Sequence, residues 1–215
     1  MRKTVLPALL IVACDRQWYW EQVLIPSASA ILTRKRDCAC SRSTATRLSS
    51  GSVNAWPKRD LEIPIWLSLV AVEFEQRAFV ERLKSMGFDS DRPAFFTWLG
   101  VVPYLSRETV FATLSLIARL PDAEVVFDYG EPAEAYPPAR RAGYEAMIAR
   151  AAAIGEPWLS FFIPREIASA LSAIGFSKVE DLSPRDIAVR YFREQDPPQN
   201  VPGAHIVRAQ RALES

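Results

Sequence analysis

From Leu67 onward, short β-rich apolar runs alternate with stretches of helical period, and this alternation restricts the fold more than any other feature of the chain. Leu67 to Val72 is a short β-rich apolar run of the kind found in a buried parallel strand. Phe79, Val80, Leu83 and Met86 then recur at helical spacing, and Gly87 supplies a C-terminal cap, so a helix is expected from about Gln76. Ala94 to Trp98 reads as a second strand, Ser106 as the N-cap of a helix through Leu120, and Glu124 to Tyr129 as a third strand. A helix follows from about Pro138 to Ile154, with Tyr144, Met147, Ile148 and Ala151 on one stripe. Pro164 opens another through Ile174, Phe176 to Leu182 is a strand, Ser183 with Pro184 starts a helix reaching Phe192, and Ala204 to Ala209 is the last strand. The loop Glu194 to Pro202 leaves no room for a further crossover helix, so the last two strands should lie antiparallel. The expected class is α/β, a mostly parallel Rossmann-like sheet with a C-terminal antiparallel strand.

The 215 residues have a net charge of +1, which provides no field to gather nucleic acid or an anionic membrane. Cys14, Cys38 and Cys40 form neither a disulfide framework nor a full zinc set, and no metal site is expected. No apolar run is long enough for a membrane span. Arg2 and Lys3 before the apolar stretch ending at Cys14 imitate a lipoprotein signal; the rest of the chain reads as a cytoplasmic enzyme, and Pro7 interrupts a minimal apolar core. The cytoplasm is therefore expected, with lipid anchoring through Cys14 as the alternative. The only histidine, His205, falls in an expected strand and reads as structural. Without a second histidine or a Gly-x-Ser-x-Gly turn, a serine or cysteine triad is disfavoured.

Composition shifts near residue 60. Arg34 to Asp60 is crowded with Arg, Lys, Ser, Thr and Cys and has no apolar period, so residues 1–60 read as an atypical segment, out of frame or disordered, before a folded unit over 61–215.

Several stretches together resemble the bacterial leucine carboxyl methyltransferase-like family of S-adenosylmethionine-dependent enzymes. They are Val70–Glu75 (VAVEFE), Arg92–Leu105 (RPAFFTWLGVVPYL) and Val125–Tyr129 (VVFDY), extended by Gly155–Trp158 and by Gly175-Phe176 through Asp181-Leu182. The resemblance covers about residues 61–210. It implies a class I methyltransferase sheet with degraded N-terminal strands, S-adenosyl-L-methionine as cofactor, and a small molecule or carboxylate as methyl acceptor. It also implies that Glu73 and Phe74, at a strand end, lie beside the adenine, and that Trp98, Gly100 and Tyr104 border the methionine end and the acceptor. Glu73 stands where the family usually has Asp, and Leu99 where related enzymes often carry an acid. Methyl transfer needs positioning and desolvation, so no side chain is assigned as catalytic. The Pro-rich segment Glu131 to Pro138 and its following helix are expected to shape a substrate lid.

The glycine-rich loop and the ribose-binding acid of such enzymes are missing; Ser27–Ala30 and Arg42–Thr44 stand in their places. Back-translating Leu32 to Thr44, with codons built from the third base of one residue and the first two of the next, permits Tyr-Pro-Gln-Ala-Arg-Leu-Arg-Val-Leu-Glu-Val-Asp. This resembles the family's second strand with its acid. Gly51 to Asp60 in the same shifted frame permits Lys-Arg-Glu-Arg-Leu-Ala-Glu-Ala-Gly. Residues 25–60 are accordingly expected to be an out-of-frame translation. The resulting chain would bind cofactor weakly or not at all and would either be inactive or act as a truncated non-catalytic fragment. An exported lipoprotein with a binding domain is the reading from a different class.

Overall fold

A computed structural model describes residues 9–13, 40–44, 67–71, 79–85 and 88–211. Among these residues the strands are β1 (Leu9–Ala13), β2 (Cys40–Thr44), β3 (Leu67–Ala71), β4 (Phe95–Trp98), β5 (Glu124–Gly130), β6 (Lys178–Leu182) and β7 (Ala204–Gln210). The helices are α1 (Phe79–Ser85), α2 (Arg107–Ala118), α3 (Pro138–Ala153), α4 (Pro164–Ala173) and α5 (Pro184–Phe192). The strands form one sheet in the order β3-β2-β1-β4-β5-β7-β6.

The α/β class and the mixed sheet agree with the sequence. β2 to β6 share one direction, while β7 runs against β5 and β6. One difference lies at β1, which is antiparallel to both β2 and β4 and so interrupts the parallel set. A second lies at β2, a strand whose sequence CSRST has no apolar alternation. Both have the same cause: ladder hydrogen bonds come from the backbone, so a polar or reversed segment can satisfy an unpaired sheet edge that side-chain pattern alone would not assign to it.

The helices follow from local rules. The Ser106 hydroxyl accepts from the Thr109 N–H at 3.2 Å and starts α2. Val110, Thr113, Leu114, Ile117 and Ala118 then place the helix's buried stripe against the sheet. Ile167 and Leu171, one turn apart, bury α4, which ends before Gly175 at φ +110°. A capping box between Ser183 and Asp186 opens α5. In β5, Val125, Val126, Phe127 and Tyr129 are buried on both faces, as a strand between two others requires. The core gathers Phe96, Trp98, Phe127, Phe162, Ile167 and Leu171 with the α2 stripe. α3 has no buried residue and leans on the molecule through one face only. Among the described residues no helix is long and apolar enough to cross a membrane.

Candidate functional site

Parallel strands joined by helices leave a crevice at their C-terminal ends, because the chain must turn away there and the backbone cannot close over the sheet. Here Gly100 follows β4 and Gly130 ends β5; both border a cavity of about 550 Å³. The other walls come from Pro103 and Tyr104 after β4, from Tyr136, from the Arg140–Met147 face of α3, from Trp158 and Phe161, and from the 202–204 segment leading into β7. Six of the sixteen lining residues are aromatic, and most of the others are glycine, proline or apolar. Among the described residues Asp128 and Arg140 are its only charged side chains.

Asp128 sits on β5 two residues before the strand end. Its Oδ1 accepts the Gly100 N–H at 2.6 Å, which ties the loop after β4 to β5. Burial raises its pKa above the usual carboxylate value, and the Gly100 N–H recovers only part of that shift. Gly100 itself adopts φ +70°, and a Cβ added there would meet nothing within 4 Å. The glycine is therefore required by its left-handed conformation, and no neighbour crowds it.

A polar network supports the cavity floor. The Tyr129 hydroxyl donates to Asp181 Oδ2 at 2.6 Å, Asp181 Oδ1 pairs with His205 Nδ1 at 2.8 Å, and His205 Nε2 lies 3.3 Å from Glu131 Oε1. Glu131 also accepts the Gly203 N–H at 3.2 Å. Tyr129 stacks on His205, with centroids 4.9 Å apart. Burial opposes a charge on His205, but the hydrogen bonds and charges of Asp181 and Glu131 outweigh it and raise its pKa. His205 thus joins β5, β6 and β7 through hydrogen bonds that favour its protonated form, in keeping with its expected structural role.

The segment after Glu131 and α3 contribute Tyr136, Arg140, Gly143, Tyr144 and Met147 to the cavity wall. Tyr136 and Tyr144 stack at 4.1 Å, and the Tyr144 hydroxyl donates to Glu131 O at 3.1 Å. Burial raises the Tyr144 pKa, and the neighbouring Tyr136 raises it further. Arg141 lashes α3 to the turn before it, donating to the carbonyls of Ala133, Glu134 and Tyr136 at 3.1, 2.9 and 3.1 Å.

Of the residues singled out in the sequence, Gly100 and Tyr104 line the cavity. Trp98 is fully buried below it, its ring 6.4 Å from that of Phe127, and is not among the lining residues. Glu73, Phe74 and Cys14 lie outside the described residues. Asp128, Arg140, Trp158 and Phe161 were not singled out as site residues. The only local hint for Asp128 was an acid near the end of an otherwise apolar strand.

Residues 55–118 match the sequence model of the leucine carboxyl methyltransferase family. A curated Bacillus subtilis (strain 168) protein, YktD, carries the name of an S-adenosyl-L-methionine-dependent methyltransferase. It is 34% identical over 138 residues, covering 62% of this chain and 44% of its own length. The chain therefore spans less than half of that curated relative. Among solved structures, a DUF574 family protein of Streptomyces avermitilis is 17% identical with a TM-score of 0.46, over 67% of this chain and 55% of that one. An O-methyltransferase family protein of Burkholderia thailandensis is 10% identical with a TM-score of 0.46, over 76% and 41%.

Proposed function

We propose, from the premise that this chain belongs over residues 55–118 to the leucine carboxyl methyltransferase family, that it is an S-adenosylmethionine-dependent O-methyltransferase acting on a small molecule or carboxylate. The observation that carries this reading is the cavity at the C-terminal ends of β4 and β5, with six aromatic residues and the half-buried Asp128 carboxylate among its lining residues. The residues present suit the cofactor's sulfonium, since aromatic faces and a carboxylate both favour a cation.

Bound cofactor supplies an electrophilic methyl group. The chain's own residues supply the rest. The aromatic walls exclude water from the acceptor oxygen and lower the local dielectric. Asp128, held by the Gly100 N–H, would accept the proton of an acceptor hydroxyl during transfer. A carboxylate whose pKa is raised by burial is a stronger base for that step. A carboxylate acceptor arrives ionised and needs no base.

The adenosine side of the site is proposed to be impaired, because the glycine loop and the ribose acid are missing from the sequence. Calorimetric titration with S-adenosylmethionine is expected to give a dissociation constant above about 100 μM, some two decades weaker than a low-micromolar site. Low-micromolar binding would remove the impairment, and no saturable heat at millimolar cofactor would remove the cofactor assignment. The compartment proposed is the cytoplasm; recovery of the chain lipid-modified at Cys14 in a membrane fraction would overturn it.

A further inference from the structure

The face of α3 turned to the cavity consists of Arg140, Gly143, Tyr144 and Met147, at i, i+3, i+4 and i+7. Gly143 stands inside a helix, where glycine costs roughly 1 kcal/mol relative to alanine. No protein atom explains that cost, since a Cβ added at Gly143 would meet nothing within 4 Å. Its missing side chain leaves room on the cavity side between a guanidinium one turn before and a phenol one residue after. Beyond Tyr144 stand Trp158 and Phe161, at centroid distances of 6.2 and 6.4 Å from it and 6.4 Å from each other, all mutually tilted. Three rings at these separations present both edges and faces, the arrangement that accepts a further ring edge-to-face. Arg140 is exposed at the start of the same stripe, and its charge, with the planar fork of its guanidinium, matches a carboxylate or similar anion.

We propose that this cavity takes a planar aromatic acid as its acceptor, with the ring against the gap at Gly143 among Tyr144, Trp158 and Phe161 and the anionic group at Arg140. This rests on the methyltransferase reading and narrows its substrate class. A flat ring gains most from the tilted aromatic walls, whereas a saturated ring of equal size forfeits the edge-to-face contacts. A cation placed at Arg140 would be repelled by the guanidinium, whereas one beside Asp128 would not.

The test is calorimetric titration of the purified full chain, without S-adenosylmethionine, with 6-hydroxy-2-naphthoate, its neutral carboxamide and the saturated 6-hydroxydecahydronaphthalene-2-carboxylate. The naphthoate is expected to bind at least about tenfold more tightly than either comparison ligand, a difference of about 1.4 kcal/mol. Arg140→Gln should weaken the naphthoate about tenfold and leave the carboxamide unchanged. Gly143→Leu should abolish binding of both ring compounds while the melting temperature holds or rises, because it fills the gap and favours the helix. Equal affinity for the saturated decahydronaphthalene acid, equal weakening of both naphthyl ligands by Arg140→Gln, or undiminished binding to Gly143→Leu would each overturn the proposal. Cofactor binding without naphthoate binding would overturn this inference and leave the methyltransferase reading standing. Naphthoate binding with no saturable heat from millimolar S-adenosylmethionine would overturn the methyltransferase reading and, with it, the acceptor role proposed for the naphthoate.

Discussion

His205 shows how one residue can fasten three strands. Its ring lies between the Asp181 and Glu131 carboxylates, 2.8 and 3.3 Å away, and stacks on Tyr129. Because these partners hold its folded pKa above the unfolded value of about 6.5, its contribution to stability is complete below that value and is lost as pH rises through the folded pKa. Denaturant unfolding followed from pH 6 upward should therefore show a falling free energy of unfolding, and His205→Asn should flatten that slope and lower stability most at the acidic end. An unchanged slope in the variant would assign the pH dependence to other groups. The sequence supported a structural histidine because it placed His205 in a strand. It did not give the partners, which come from β6 and from the loop after β5, 24 and 74 residues away.

At the scale of the element, α3 is the piece whose role depends least on the core. None of its residues is buried, and its N-terminal end is fastened by the three carbonyls that Arg141 reaches. Removing that clamp should loosen the lid without unfolding the sheet. Arg141→Ala is expected to lower global stability by about 0.5 kcal/mol or less, as for an ordinary surface change, and to speed protease cleavage between residues 131 and 140 several-fold. Cleavage at the wild-type rate would mean that stacking of Tyr144 on Tyr136, at 4.1 Å, holds the lid by itself. α2, α4 and α5 were legible because their signals are local: a capping serine, a proline at the first turn, and apolar residues three and four apart. β2 was not, since a strand recruited through its backbone leaves no trace in side-chain period.

For the whole molecule, the polar β2 lies in the part of the chain where a one-base shift of reading frame permits family-like sequence, and the reversed β1 precedes that part. We propose that residues 25–60 were translated out of frame. Resequencing the gene around codons 20 to 65 should show the shifted codons spelling an acidic residue at the end of the second strand and a helix leading into Leu61. Shifted codons without that sequence would remove the idea. With the frame restored, the encoded chain should bind S-adenosylmethionine at least about tenfold more tightly, equivalent to about 1.4 kcal/mol.

Sequence alone determined the alternation of strands and helices after Leu67, the caps at Ser106 and Ser183 and the antiparallel last pair, because each depends on local signals; the cap expected at Gly87 lies outside the described residues. It also placed Gly100 and Tyr104 at the strand-end crevice. Only the tertiary structure assembled Asp128, Arg140, Tyr144, Trp158 and Phe161 around one cavity and withdrew Trp98 into the core. A cavity wall is built from side chains distant in sequence, and which face of a strand-end residue meets it is decided by how the sheet and the lid pack, information that no local period contains.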